Sequence, residues 1–182
     1  MNPEDTALTI QLSPPEVLEA VSLLRRYVVD DRDRLRLLPT SFYEGHAAKT
    51  VALWGVLLGI FVFPTVELID WLQRRVIRGR RAIEIGAGVG DLGRFLGIPT
   101  TDSYHIVDDA GVRRRFREAG HIVPVLDPTV TERLDAAAAI AKYQPEVVIA
   151  GWSVGLEAGE AWAVDECAIV RMADYCVLGH LI

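Results

Sequence analysis

The sequence predicts an α/β chain: a parallel sheet with helices on both faces over residues 81–182, preceded by a helical N-terminal extension over residues 1–80. Three observations predict it. From residue 82 onward, apolar runs of strand length alternate with helical segments. The run PEVVIAGW at 145–152 is apolar almost throughout, as a strand covered on both faces is. And the glycine-rich stretch IEIGAGVGDLG, 83–93, directly follows one of the apolar runs, which is where a strand turns into a helix over a ligand.

The bulk numbers fit one compact unit. The chain has 182 residues, about half of them apolar and about a quarter charged, with a net charge of −6. That balance argues against a nucleic-acid binder, which shows a basic face. Two arginine groups (Arg113, Arg114, Arg115 and Arg117; Arg74, Arg75, Arg78, Arg80 and Arg81) read first as solvated helix ends, with phosphate or acidic-substrate contact as the other reading. Cys167 and Cys176 make neither a disulfide framework nor a metal spacing, so no metal is expected. The first residues, MNPEDTALTIQ, have no basic flank and no apolar signal core, which points to a cytoplasmic protein.

The extension divides as follows. Residues 1–13 form a loose arm. Pro14 and Pro15 start a helix, EVLEAVSLLRRYVV, with Val17, Val21, Leu24 and Val28 on one face. DDRDR at 30–34 is a polar connection. A second helix begins near Phe42 and carries VALWGVLLGIFVFP, 51–64, which at fourteen residues is short of the roughly 20 that span a bilayer. It is a buried helix, or else a dimer interface. Gly55 and Gly59, four apart, would let another helix approach. A third helix begins behind Pro64, with Thr65 as N-cap and Glu67 in its first turn, and runs to Gly79.

Beyond it, RRAIEIG is a buried strand, GDLGRFLG a short helix and IPTTD a short strand. Residues 108–119 are helical, HIVPVL is a strand, ERLDAAAAIAKY a helix and PEVVIAGW a strand. DECAIVRMA is a helix and DYCVLGHLI a last strand.

The glycines read in two frames. Gly88, Gly90 and Gly93 spell the dinucleotide fingerprint G-x-G-x-x-G, but that frame begins late after the strand, and in the frame that begins at Gly86 the sixth position is Asp91. The second frame is Glu84, Gly86, Gly88, Gly90. An acid in a buried strand is costly unless something favours it. Glu84 and Asp91 repel a pyrophosphate and suit a cationic ligand, directly or through water.

This second frame resembles motif I of the class I S-adenosylmethionine-dependent methyltransferases. FPTVELIDWL, RRAIEIGAGVGDLGRFLGIPTTDS and RLDAAAAIAKYQPEVVIAGW are similar to uncharacterised bacterial members of that group, over roughly residues 40–180. The resemblance implies a Rossmann-like core with the extension as part of a lid. It implies S-adenosylmethionine as cofactor, with Glu84, Gly86, Gly88 and Gly90 around the methionine part and Asp102 on the ribose. Asp135 and Ala136, with Asp135 twelve residues before Val147, would meet the adenine. Asp127, ending HIVPVL, competes for that role, and a helix N-terminal charge is the plainer reading of Asp135. The short interval from Glu84 to Asp102 implies a short first helix.

The chain departs from the family pattern twice. It stops at Ile182, after the fifth candidate strand, so the antiparallel edge hairpin is missing: the edge is absent, the chain is truncated, or a partner chain covers the edge, which favours a homo-oligomer. After the fourth strand stands GWSVG in place of the D/N-P-P-Y motif, which counts against base or amide N-methylation.

Methyl transfer from a sulfonium is an in-line displacement accelerated largely by positioning. Tyr43 and His46, in YEGH, and Trp152, at the end of the fourth strand, are the candidate catalytic or pocket residues, with Ser153, His105 and His180 as further candidates. Trp152 suits a cation–π contact with the sulfonium. The expected activity is therefore methylation of a small molecule. Cyclisation or cleavage of the same cofactor, NAD-dependent oxidoreduction, and a non-catalytic scaffold or regulator of the same fold are the alternatives.

Overall fold

The computed structural model describes residues 13–60, 62–118, 122–151 and 165–178. α1 (Pro14–Leu23) begins at the Pro-Pro pair, where Glu16 reaches back to the Ser13 N–H at 2.8 Å. It continues as a π-helical turn, Leu24–Val28. DDRDR closes a tight bend: Val29 and Leu35 bridge antiparallel, and the Asp30 carboxylate accepts from the Arg32 and Arg34 N–H groups. The single helix predicted from Phe42 is two, α2 (Thr40–Glu44) and α3 (Ala48–Leu58). Gly45 ends the first, and Ala47 takes an extended conformation before the second.

α3 stops at Gly59, whose φ of 66° is left-handed. A Cβ on Gly55 would sit 2.8 Å from the Ile60 carbonyl, so the close approach expected of another helix is made by the chain's own turn. α1 lies against α3 through Trp54, whose Nε1–H donates to the Ala20 carbonyl at 2.8 Å, and through the Lys49–Glu16 ion pair. α4 (Val66–Trp71) begins as predicted, with Thr65 Oγ1 accepting from the Leu68 N–H at 3.2 Å, and continues as a π turn, Leu72–Ile77. No helix among the described residues is long and apolar enough to cross a membrane.

The second part alternates: β1 (Ala82–Ile85), α5 (Asp91–Leu96), β2 (Thr101–Asp102), α6 (His105–Asp108), α7 (Ala110–Glu118), β3 (Glu132–Arg133), α8 (Ala136–Tyr143), β4 (Val147–Ala150), α9 (Glu166–Val170) and β5 (Asp174–Val177). β4 pairs in parallel with β1 on one side and β5 on the other. β2 and β3 pair in parallel as well. A parallel bridge between Glu84 and Thr100 joins the two sets, and the Glu84 N–H donates to the Pro99 carbonyl at 2.9 Å. The strands thus lie in the order β3-β2-β1-β4-β5.

Two elements differ from expectation. Residues 122–126 of the predicted strand HIVPVL have no regular structure, and β3 forms later, at the start of the segment predicted as helix. Pro124 has no N–H to give a ladder, and Pro128 follows Asp127 directly. The helix waits until Asp135 caps it, its Oδ1 accepting from the Ala138 N–H at 2.7 Å.

Helices cover both faces of the sheet. Ala82, Val147 and Ile149 pack with Leu92 and Leu96 of α5 and with Ile69, Leu72 and Ile77. Ile83, Ile85, Val148 and Ala150 pack with Ala139 and Ile140 of α8 and with Ile169 of α9. Each fully buried Val, Leu or Ile side chain among them stabilises by about 1.5–3 kcal/mol. Part of the segment read as extension is thereby a cover of the sheet: α4 belongs to the first face. A third cluster, Leu24, Val28, Leu35, Tyr43 and Trp54, sits within the extension, and Phe95 of α5 touches both it and the first face.

Candidate functional site

The loop between β1 and α5 lies at the carboxyl edge of the parallel strands, the edge at which such sheets bind ligands. Gly86, Gly88 and Gly90 have φ of 57°, 54° and 77°, all left-handed. Their surroundings differ. A Cβ on Gly88 would meet nothing within 4 Å, so this point of the loop faces open space. A Cβ on Gly90 would lie 2.5 Å from Thr131 Oγ1, and one on Gly93 would overlap Thr100 Cγ2 and come within 2.8 Å of Glu84 Oε2. Gly88 offers backbone to a ligand; Gly90 and Gly93 are the fit of loop and helix against the strands.

Glu84 is 3 % exposed. Its Oε2 accepts from the Gly93 N–H at 2.7 Å, and among the described residues no basic side chain pairs with it. Burial drives its carboxyl up to about 8, the Gly93 N–H draws it back, and the nearby Asp91 and Asp102 charges push it up again. The sequence placed Glu84 facing the ligand. It stands instead behind Gly93, within the core, and reaches the loop through its field and through α5.

Asp102 ends β2 and binds the loop directly. Its Oδ2 accepts from the Gly88 N–H at 3.0 Å and its Oδ1 from the Tyr104 N–H at 2.7 Å. Each oxygen keeps a second lone pair, and the carboxylate is partly exposed beside the open point of the loop. Asp91, first residue of α5, is gripped by Arg94 at 2.6 Å, and the same guanidinium donates to the Leu35 carbonyl at 2.7 Å. Burial raises the Asp91 carboxyl while Arg94 lowers it.

The adenine candidates separate. Asp135 and Ala136 follow β3, and the Leu134 N–H donates to the Asp102 carbonyl at 3.0 Å, so they stand next to Asp102 along the same edge. Asp135 also fulfils the plainer reading, as the N-cap of α8. Asp127 ends no strand; its Oδ1 accepts from the Thr129 N–H and hydroxyl, an exposed turn.

Of the catalytic candidates, Tyr43 lies near enough to Asp91, the first residue of α5, to feel its charge. It is buried, its hydroxyl has no hydrogen-bond partner among the described residues, and burial together with the Asp91 charge pushes it up to about 12. His46 packs edge-on against Phe42 and Trp54, at 4.9 and 5.0 Å between ring centres, inside the extension's aromatic cluster. His105 opens α6. Trp152, Ser153 and His180 lie outside the described residues.

Two residues at the loop were not singled out from the sequence. Thr131, fully buried and with a hydroxyl unpartnered among the described residues, lies beneath Gly90; Arg94 ties the loop to the extension. Arg94 stands three residues after Asp91 on one helix face, a legible signal; Thr131 gave none. At the opposite, amino end of β1 a shallow groove is lined by Arg80, Arg81, Ile98 and Tyr143. Its guanidinium groups are committed, Arg80 to Asp174 at 2.6 Å and to the Val76 carbonyl at 2.7 Å, Arg81 to the Gln144 carbonyl at 3.2 Å. Among the described residues no group of three His, Cys, Asp or Glu side chains is placed to hold a metal ion. No protein family, curated protein or solved structure matches the chain.

Proposed function

We propose that the chain is an S-adenosylmethionine-binding enzyme of Rossmann-like fold that methylates a small molecule. The observation that carries the reading is the acid-lined glycine loop at the carboxyl edge of strands ordered β3-β2-β1-β4-β5, open at Gly88 and floored by Asp102. Asp102, with Asp91 beside it, sets a negative field there, which disfavours a pyrophosphate and favours a cation. The cofactor's chemistry is an electrophilic methyl group on a sulfonium. The residues present fit it: backbone at Gly86–Gly90 lines the approach, Asp102 keeps lone pairs for ribose hydroxyls, and Asp135 and Ala136 stand where the next part of a nucleoside would lie. These side chains bind and orient; in-line geometry then lowers the barrier without a residue that must form a covalent bond.

A second reading, a dinucleotide-dependent oxidoreductase, draws on Gly93. Its close packing under Thr100 is what the third glycine of G-x-G-x-x-G does. Calorimetric titration with S-adenosylhomocysteine and with NAD separates the two. The methyltransferase reading expects saturable binding of the first ligand alone, weakened at least about tenfold in Asp102→Ala. Binding of NAD alone reverses the order, and silence with both removes the cofactor assignment.

A further inference from the structure

The loop's acids are not equivalent. Asp102 touches the loop backbone at its open point, and Asp91 is paired with Arg94. Glu84 is almost wholly shut off from solvent and has no counter-ion among the described residues. One N–H, that of Gly93, serves its carboxyl group, and Gly151 closes on the other oxygen, a Cβ there standing 3.7 Å from Oε1. The elements around it present these charged groups: Asp91 and Arg94 from α5, with Arg94 turned away onto Asp91 and Leu35, and Asp102 from the end of β2. The described strand β4, Val147–Ala150, presents none. A carboxyl so enclosed is held in its neutral, protonated form until a positive charge arrives nearby.

We infer that Glu84 is the residue by which this loop distinguishes a sulfonium ligand from its neutral thioether product, taking up the ligand's charge by releasing a proton. The inference rests on the cofactor reading above and adds a specificity determinant to it. Below its titration Glu84 is neutral and treats the two forms alike. Above it, the ionised carboxylate attracts the sulfonium and is indifferent to the thioether. The methyl donor is then held more tightly than what remains after transfer, and product leaves more readily at higher pH.

The test compares S-adenosylmethionine with S-adenosylhomocysteine by calorimetry on the full chain, in two buffers of different ionisation heat. The sulfonium also lowers the pKa of the ligand's own amino group, so the part of the difference that belongs to Glu84 is the part that Glu84→Gln removes. A shift of about one pKa unit on loading, the low end for an opposite charge, releases about half a proton near pH 7.5 with the sulfonium and almost none with the thioether. The affinity ratio of the two ligands rises about tenfold between about pH 6.5 and about 9. Glu84→Gln keeps an oxygen for the Gly93 N–H but carries no proton to lose. Its affinity ratio lacks the part of the rise that Glu84 gives, and its difference in proton release between the ligands is changed by about half a proton from the native one. Native binding with no difference in proton release between the ligands overturns the inference and leaves the cofactor reading standing. A Glu84→Gln protein that keeps the native pH dependence overturns it as well. Failure of both ligands to bind native protein overturns the cofactor reading, and the inference with it.

Discussion

The Oε2 atom of Glu84 lies 2.7 Å from the backbone nitrogen of Gly93, joining the third residue of β1 to the first turn of α5 inside the core. This contact gives the carboxyl group a structural part beside any ligand. It satisfies an amide that the short helix leaves without an intrahelical partner. It also brings an ionisable group into an apolar interior, where the neutral form is favoured.

The consequence is a stability that falls as pH rises. Glu84 holds its proton in the folded chain up to about 8, against an ordinary value of 4.5. Between those values the folded state binds more protons than the unfolded one, so the contribution is complete below the ordinary value and lost as pH passes about 8. Each unit of that difference is worth about 1.4 kcal/mol. Glu84→Gln removes the dependence. Its melting temperature changes less than the native one between about pH 5 and about 9, and exceeds it at the alkaline end. The residual slope belongs in part to Asp91, whose carboxyl is raised as well. Parallel melting curves for the two proteins across that range would show that Glu84 is ionised in the fold.

Gly93 and Gly88 differ in what a methyl group would meet. At Gly93 a Cβ overlaps Thr100 and crowds Glu84, with strand on both counts and little to yield. Gly93→Ala therefore destabilises by about 2 kcal/mol or more, read from chemical denaturation. At Gly88 the space is open and the cost is only the left-handed backbone, about 1–2 kcal/mol. Gly88→Ala, however, places its methyl on the ligand side. It weakens ligand binding beyond what its stability loss explains, and Gly93→Ala shows the opposite weighting.

The alternation of apolar runs and the glycine loop made the sheet core legible, because a strand covered on both faces writes itself as an uninterrupted apolar run. β4 was readable for that reason, and β1, whose run is broken by Glu84 alone, was readable with the glycine loop that follows it. β3 was not: Glu132 and Arg133 are charged, lie at the sheet's edge and form only two residues of ladder. HIVPVL looked the better strand on composition, and its proline outweighs that. The division of the apolar helix was hidden because Gly45 and Ala47 are small residues that sit comfortably inside a helical pattern. For the site, the order of acids along the carboxyl edge was legible from strand ends. The seclusion of Glu84 was not, since it depends on Gly93 folding back over it.

Tyr43 carries a buried hydroxyl with no partner among the described residues, and leaving such a group unsatisfied costs about 1–3 kcal/mol. Tyr43→Phe relieves that cost while keeping the ring against Phe63 at 4.9 Å. The variant melts at the same temperature as native protein or higher. If the hydroxyl serves the chemistry, turnover falls with stability intact; a melting temperature several degrees lower would reveal a partner that Tyr43 gains in solution.

Asp102 holds two backbone amides at once, one on each oxygen, and Asp102→Asn can serve only one of them. Tyr104 makes the shorter bond, at 2.7 Å against 3.0 Å for Gly88, and sits in a left-handed conformation with φ 62° that needs the support. Its own hydroxyl is anchored on the Thr131 carbonyl at 2.6 Å, so it has little freedom to follow a displaced partner. The asparagine oxygen therefore stays with Tyr104, and the amide nitrogen turns toward the Gly88 N–H, donor against donor. The expected cost is about 1–3 kcal/mol, with faster hydrogen exchange at the Gly88 amide and little change at Tyr104. Protection lost at Tyr104 instead would mean that the loop, not the turn after β2, is the stiffer of the two elements that this carboxylate joins.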